Sequence, residues 1–363
     1  MNCSLPFMVK EGYVNQLEPK ELIAAFALHP PEGFNVQIAE NGLPMFTTRF
    51  DLLTTLEPAL RQRLARWPGF SYWHKWLTLD TCFIGTTTSE YACLPRQQDP
   101  DALLRWVEIH CANQHPLTII KDLPIASPLL PATDNDYSRR LIAAAEAYGY
   151  ISVEGQALAV VPINFTTTDE FLARMSHSRR RNIRRKLRSR AALRIEVLTC
   201  GDIRFEDAHW RAQLYQLYLS VWQQSEVHFD LLSASFFDQL LLDKHSAGKV
   251  FCYWHEDRLV GFNLCYQYQG KLVDKYIGLD YSLALKFNLY FVSWFVNLEY
   301  AIEQGLQEYV AGWTDPEVKA SLGASFTFTR HLVRVRNPLL RRILRYFRHY
   351  FESDKKWADP PST

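Results

Sequence analysis

Short apolar runs of strand type alternate along this chain with longer stretches of helical spacing, and the changes of period mark its elements. Residues 18–28 read as an amphipathic helix stopped by His29-Pro30-Pro31. Residues 34–40 and 43–53 read as strands flanking Asn41-Gly42, a hairpin dipeptide. A polar helix with Leu56, Leu60 and Leu64 in its apolar positions follows. The aromatic run 67–76 then breaks the pattern and reads as a loop held on the core by its rings. Residues 77–85 are β-like, 101–112 helical and 117–122 an apolar strand. A helix over 137–148 ends at Gly149, and a strand over 157–163 closes this half.

The second half opens with a basic helix over 169–190 and a strand over 193–199, followed by helices over 209–224 and 233–244. A hairpin, 250–255 and 259–268, turns at Glu256-Asp257. The densest apolar stretch, 260–323, comes next. Two strands meet at Gln269-Gly270, an apolar helix runs to Gly305, residues 306–313 form a strand, and a short helical segment carries Lys319 before a final strand over 326–335. Strand, helix, strand predicts a right-handed crossover between parallel neighbours, with ligands beyond the carboxyl ends of the strands. Those ends carry Asp280, Tyr281 and the segment Trp313 to Asp315.

Both halves close in the same strand, helix, strand order, which predicts an α/β protein of mixed sheet built as a tandem of two similar domains. The predicted division is residues 1–165, residues 166–337 and a basic amphipathic tail, 338–363. A length of 363 residues exceeds one ordinary core, and 48% hydrophobic residues suffice to bury two. The seven cysteines include no CxxC pair, which argues for reduced thiols and against a zinc site; no metal is expected. The start of the chain lacks a signal-peptide pattern, and the most apolar run, 289–302, is interrupted by Asn297 and Glu299. The expected location is cytoplasmic, with a peripheral contact at the inner face of the membrane left open.

Net charge is +1, but it is segregated: 12 basic against 17 acidic residues up to position 165, and 28 against 22 after it. Ten of the basic residues lie between Arg174 and Arg194 with no acid among them. On a helix Arg181, Arg184 and Arg188 share one face while Phe171, Met175, Ile183 and Leu187 lie near another, an anchored helix presenting a basic ridge. Such a ridge suits phosphate, whether of a cofactor, a nucleic acid or a lipid headgroup; a solvated charged face has the same pattern. The tail segment 338–351 has the two readings of an anionic membrane surface or packing on the domain.

Three further candidates carry chemistry. Lys319, at a strand end with Gly312, Trp313 and Asp315 before it, suits stabilisation of the oxyanion formed when an amine attacks a carbonyl; its plainer reading is an exposed lysine. Asp274 and Asp280 suit proton acceptance and Tyr276 proton return, with Asp274, Tyr276 and Gly278 placed on one strand face by alternation. Tyr281, Tyr290, Trp313 and Asp315 line the same edge. No GxGxxG, P-loop, HExxH or GxSxG motif is present, which removes the common hydrolases.

The run Arg180-Arg181-Asn182-Ile183-Arg184-Arg185 and the runs YIGLDY, NLYF, YAIEQGL and GWTDPEVKASLGA resemble the FemAB-like branch of the GNAT N-acyltransferase superfamily, over residues 166–336. The resemblance implies two tandem GNAT-like domains, the first degenerate, and acyl or aminoacyl transfer to an amine without a covalent enzyme intermediate. It associates Lys319 with the reacting carbonyl, and the basic helix, with Arg180, Arg181, Arg184 and Arg185, with the donor or a phosphate-bearing acceptor; Lys286 and the helix N-terminus at Asn288 are further phosphate candidates on their own position. The implied donors are acyl-CoA, another acyl thioester or aminoacyl-tRNA. The implied acceptor is an amine on a small molecule or cell-wall precursor, with tRNA as a further partner. One departure stands out: the turn Ser282 to Asn288 has no glycine, whereas acetyl-CoA enzymes of the superfamily cradle pyrophosphate on a Gly-rich turn. A catalytically silent tandem module that binds RNA or an anionic membrane is the alternative.

Overall fold

The structure, a computed structural model, describes residues 12–55, 58–225 and 229–347; Leu56, Cys3 and positions 348–363 of the predicted tail lie outside them. Two compact units divide the chain, and they do not follow sequence order. Among the described residues the first holds 12–16, 32–157 and 326–347, and the second holds 17–31 and 158–325. The predicted boundary near 165 is therefore corrected in two places. The first helix, Glu21–Leu28, belongs with the second unit, and the last strand belongs with the first.

The strands of the first unit are β1 (Tyr13–Val14), β2 (Asn35–Ile38), β3 (Pro44–Asp51), β4 (Thr78–Ile84), β5 (Leu94–Pro95), β6 (Leu117–Pro124) and the first part of β7 (Ile151–Pro162). The second unit contributes β8 (Arg194–Thr199), β9 (Lys249–His255), β10 (Arg258–Tyr268), β11 (Lys271–Leu279) and β12 (Glu308–Gly312), and β13 (Ser325–Val335) returns to the first. In the first unit the order is β2-β3-β4-β6-β13-β7, with β4 and β6 parallel. In the second it is β7-β12-β11-β10-β9-β8, with β11 and β12 parallel. A pair of β1 and β5 stands apart. The crossover between parallel neighbours is thus present where the 260–323 pattern placed it, carried by the helix Leu289–Glu303.

Strand exchange explains the corrected boundary. β13 pairs with β6 from Thr329 to Val335 and sinks Leu332 and Val335 into the first unit, while Glu308 to Gly312 of β12 pairs with the last residues of β7. Buried apolar side chains fix where a strand docks, and no local signal tells which partner will receive it.

In the second unit Leu289, Val292, Phe295 and Leu298 are buried along the crossover helix. The helix Ala208–Gln224 lies on β11, where a side chain at Gly278 would come within 2.2 Å of the Phe262 ring and 2.8 Å of Leu217. The absence of a Cβ there lets helix and strand touch.

Two local expectations fail. The basic helix is broken into Thr168–Ala173 and His177–Leu187, followed by a 3-10 turn, Arg188–Ala192, because Ser176 adopts an extended backbone (ψ 152°). The break sets Phe171 and Met175 against Gly323, where any Cβ would lie 2.7 Å from each. The aromatic run 67–76 does not pack on the core. Phe70 stacks on His74 and meets Trp73 edge-on, while Trp67, Tyr72 and Trp76 are 56%, 79% and 80% exposed. Among the described residues no helix is long and apolar enough to cross a membrane.

Candidate functional site

Parallel pairing of β11 with β12 stops at Val273 and Val310, and Asp274 is the first residue past that point. Its carboxylate is enclosed by donors. Asn263 Nδ2 reaches both oxygens at 3.2 Å, Asn297 Nδ2 lies at 3.0 Å, the Tyr309 hydroxyl at 3.1 Å and Cys265 Sγ at 3.6 Å. Burial pushes the Asp274 carboxyl above the ordinary carboxylate range. The hydrogen bonds from Asn263 and Tyr309 and the charge of Lys319 pull the other way.

Lys319, on the helix Pro316–Ser321, is only 4% exposed, and its charge acts on this carboxylate. Asp315 starts that helix in the left-handed region (φ 54°), and its carbonyl accepts from Lys319 N at 3.0 Å, which fixes the lysine one turn in. Gly312 turns the chain between them at φ 78°, a left-handed backbone that favours glycine; a Cβ there would make only ordinary contacts, 3.7 Å from the Asp274 carbonyl and 3.8 Å from Lys319 Nζ. The plain reading of Lys319 as a surface lysine is therefore wrong.

Tyr290, at the start of the crossover helix, is held far above the usual tyrosine range by burial and by the charges of Asp315 and Asp274. Tyr281 is raised by burial and by Asp315. Asp274, Lys319, Tyr290, Tyr281 and Asp315 thus share one electrostatic neighbourhood at the strand ends, and half-buried Trp313 borders it by chain position.

Two predicted catalytic residues are not brought into it. The register of β10 and β11 shifts between Leu264 and Cys265, so that Leu264 opposes Tyr276 and Cys265 opposes Asp274. This bulge at Lys275 cancels the alternation. Tyr276 turns away from Asp274 to pack on Phe236, Phe237 and Tyr218, on the helices Ala234–Leu242 and Ala208–Gln224. Lys275 takes the same side, paired at 3.1 Å with Glu18. Asp280 instead caps the turn Tyr281–Ala284. It accepts from Ser282 N at 3.0 Å and Ser282 Oγ at 2.6 Å, and it pairs with Arg258.

The basic helix His177–Leu187 buries Ile183 and leans on the crossover helix, with the Lys186 ammonium 3.3 Å from the centre of the Phe291 ring. Arg181 and Arg185 are exposed, and Arg184 pairs with exposed Asp169 at 2.7 Å. Arg185 donates to Asn182 at 2.9 Å and Arg180 to the Ala173 carbonyl at 3.5 Å. An exposed pair of this kind contributes little to stability. Lys286 lies 5.0 Å from the Phe287 ring, and Asn288 opens the crossover helix in the left-handed region (φ 48°) without capping it by its side chain.

Sequence reasoning missed Arg179 and the donors around Asp274. Arg179 donates to the carbonyls of Ala320 and Ser321, closing the C-terminal end of the very helix that carries Lys319. Arg179→Ala is expected to slow turnover about tenfold while the melting temperature falls by only a few degrees, because loss of a charge-assisted contact of about 1.5–3 kcal/mol frees the Lys319 turn. A turnover number unchanged in this variant would show that the contact does not position Lys319. Asn297 carried one available signal, a polar residue inside the most apolar run. Asn263, Tyr309 and Cys265 carried none, since strand polar residues gain meaning only from what lies opposite.

The FemAB-like family model, described as peptidoglycan biosynthesis/recognition, matches residues 137–358, more than half of the chain. The chain belongs to the FemAB-like family. Among solved structures, the C-terminal domain of a putative lysylphosphatidylglycerol synthetase from Agrobacterium fabrum superposes with a TM-score of 0.53 at 10% identity, covering 90% of each chain. L-PGS from Bacillus licheniformis gives 0.52 at 9% identity, covering 91% of this chain and 97% of that one. FemX gives 0.51 at 12% identity, covering 90% and 98%. No curated protein sequence matches at a significant level. Both units are mixed sheets that carry a parallel strand pair, β4 with β6 and β11 with β12, in line with the expected α/β class and two-domain build.

Proposed function

We propose that the second unit transfers an aminoacyl or acyl group from an activated donor to an amine, by direct attack and without a covalent enzyme intermediate. The observation that carries this reading is the buried Lys319 ammonium in the electrostatic neighbourhood of half-buried Asp274 where β11 and β12 part. A cation fixed in a water-poor site stabilises the oxyanion that forms as an amine nitrogen adds to an ester or thioester carbonyl. As the tetrahedral intermediate collapses, the carbon–oxygen or carbon–sulfur bond of the donor breaks and the amide bond remains. The proton lost by the nitrogen leaves with the departing group or to solvent.

Asp274 is a positioning residue in this scheme, because its oxygens are taken up by Asn263, Asn297 and Tyr309 while it shares its electrostatic neighbourhood with Lys319. Tyr290, Tyr281, Trp313 and Asp315 line the acceptor side, with Asp315 suited to an ammonium-bearing substrate. Arg180, Arg181, Arg184 and Arg185, with Lys286 and Asn288, receive the phosphates of the donor. Arg179 links their helix to the Lys319 helix, so phosphate binding and carbonyl placement are mechanically joined. The glycine-free turn 282–288 favours aminoacyl-tRNA over acetyl-CoA. The family description, peptidoglycan biosynthesis/recognition, supports an amine of a cell-wall precursor as acceptor.

Thermal-shift measurements with acetyl-CoA, longer acyl-CoAs, aminoacyl-tRNA and amine-bearing cell-wall precursors test this directly, since a ligand of the native state raises the melting temperature by mass action. Stabilisation by aminoacyl-tRNA, followed by a mass gain on the acceptor amine, is the expected result. Absence of both stabilisation and product with every donor would remove the reading.

A further inference from the structure

Two elements of the first unit expose apolar and aromatic side chains beside clustered positive charge. In the segment 61–76, Trp67, Tyr72 and Trp76 stand in solvent while Arg61, Arg63, Arg66 and Lys75 are exposed around them. No acidic residue occurs from 58 to 79. The segment is held as a unit by its own inner rings, Phe70, Trp73 and His74, with His74 Nδ1 donating to the Phe70 carbonyl at 2.8 Å. Its outer rings are therefore presented, not buried.

The second element is the helix Pro338–Phe347. Leu340 and Leu344 are half-buried and Arg345 donates to the Gly149 carbonyl at 3.3 Å, which seats one flank on the unit. On the other flank Leu339, Ile343 and Tyr346, spaced i, i+4, i+7, are 74%, 52% and 76% exposed. Arg341, Arg342 and Arg345 fill the polar arc, and no acid occurs from 337 to 351.

We infer that the first unit docks on an anionic phospholipid bilayer through these two elements, with Trp67, Tyr72 and Trp76 at headgroup level and Leu339, Ile343 and Tyr346 reaching the acyl boundary. Tryptophan and tyrosine combine an apolar body with a polar tip and settle at such interfaces, while arginines reach the lipid phosphates from stems laid along the surface. An amphipathic helix of basic polar face lies in the interface plane and binds by buried apolar area plus attraction to anionic lipid. Cations and rings alone would suit RNA equally. The aliphatic strip of Leu339 and Ile343 decides for the membrane, because a nucleic acid offers nothing in which to bury it. This inference stands independently of the transfer reading, since none of these residues belongs to the second unit.

Vesicle co-sedimentation of the full chain tests it, with phosphatidylcholine vesicles set against vesicles containing about one third phosphatidylglycerol. The expected result is partition to the anionic vesicles only, a blue shift of tryptophan emission on binding, and loss of binding between 0.1 and 1 M salt as the Debye length falls from about 10 to 3 Å. Leu339→Gln with Ile343→Gln is expected to weaken partition about tenfold at unchanged charge. Arg342→Gln is expected to weaken it about fivefold. Trp76→Ala should reduce the blue shift. All four positions are exposed, so an unchanged melting temperature confirms folding. Absence of partition to anionic vesicles, partition unaffected by the Leu339/Ile343 pair, or tight binding of bulk tRNA in place of vesicles would each overturn the inference.

Discussion

Lys319→Ala is expected to lower the turnover number for aminoacyl transfer about 10²–10³-fold, with KM for the acceptor changing by less than about threefold. The asymmetry follows from where the ammonium sits. At 4% exposure beside Gly312 it is withheld from water, and its full effect appears only when negative charge develops on the carbonyl oxygen. Lys319→Arg should not restore turnover, because a planar guanidinium differs in shape and reach from the ammonium it replaces and Lys319 is only 4% exposed. Lys319→Met keeps the length of the side chain without the charge and should behave as Lys319→Ala does in turnover. Single-turnover measurements separate chemistry from donor binding. A Lys319→Ala protein with full single-turnover rate would refute the role.

The second large effect concerns Asp274. Asp274→Ala is expected to destabilise the protein by about 3–5 kcal/mol, since it leaves the Lys319 charge and the donors of Asn263, Asn297 and Tyr309 facing a cavity. In a unit of this size that corresponds to a fall in melting temperature of roughly 10 °C. Asp274→Asn keeps the shape and one acceptor oxygen and should lose about 1–3 kcal/mol.

Asp274→Asn also separates from the wild type in pH dependence. The folded-state pKa of Asp274 is raised, so the folded protein binds this proton more tightly than the unfolded chain, whose carboxyl keeps its ordinary value of 3.8. The stabilisation due to the protonated form is fully present below 3.8. It is lost as pH rises from there through the raised folded-state pKa. Denaturant midpoints followed upward from pH 3 should carry this decline in the wild type, and the part due to residue 274 should vanish in Asp274→Asn. Identical slopes in both proteins would show that Asp274 is not the group responsible.

Much of the second unit was legible from periodicity. The strand runs of 250–255, 259–268 and 306–313, the helix ended by Gly305 and the parallel crossover follow from apolar spacing and glycine stops, which act over a few residues. Lys319 was legible too, as a lysine just beyond a strand end. Tyr276 and Asp280 were misassigned for identifiable reasons. The bulge at Lys275 reverses which face Tyr276 occupies, and it exists only because β10 and β11 are in a particular register. Asp280 precedes Ser282 by two residues, a capping spacing that equally fits a free carboxylate until the Arg258 partner is known.

The sequence by itself determined the mixed α/β class, the basic stretch with its anchoring Ile183, and the place of Lys319 just past a strand end, because each rests on residues close in the chain. The tertiary structure decided which unit receives β13, that Asn263, Asn297 and Tyr309 enclose Asp274, that Arg179 closes the Lys319 helix, and that the rings of 67–76 face water. These depend on side chains from distant positions meeting at short range, and burial, which sets the charge of Asp274 and withholds Lys319 from solvent, is a property of the assembled fold.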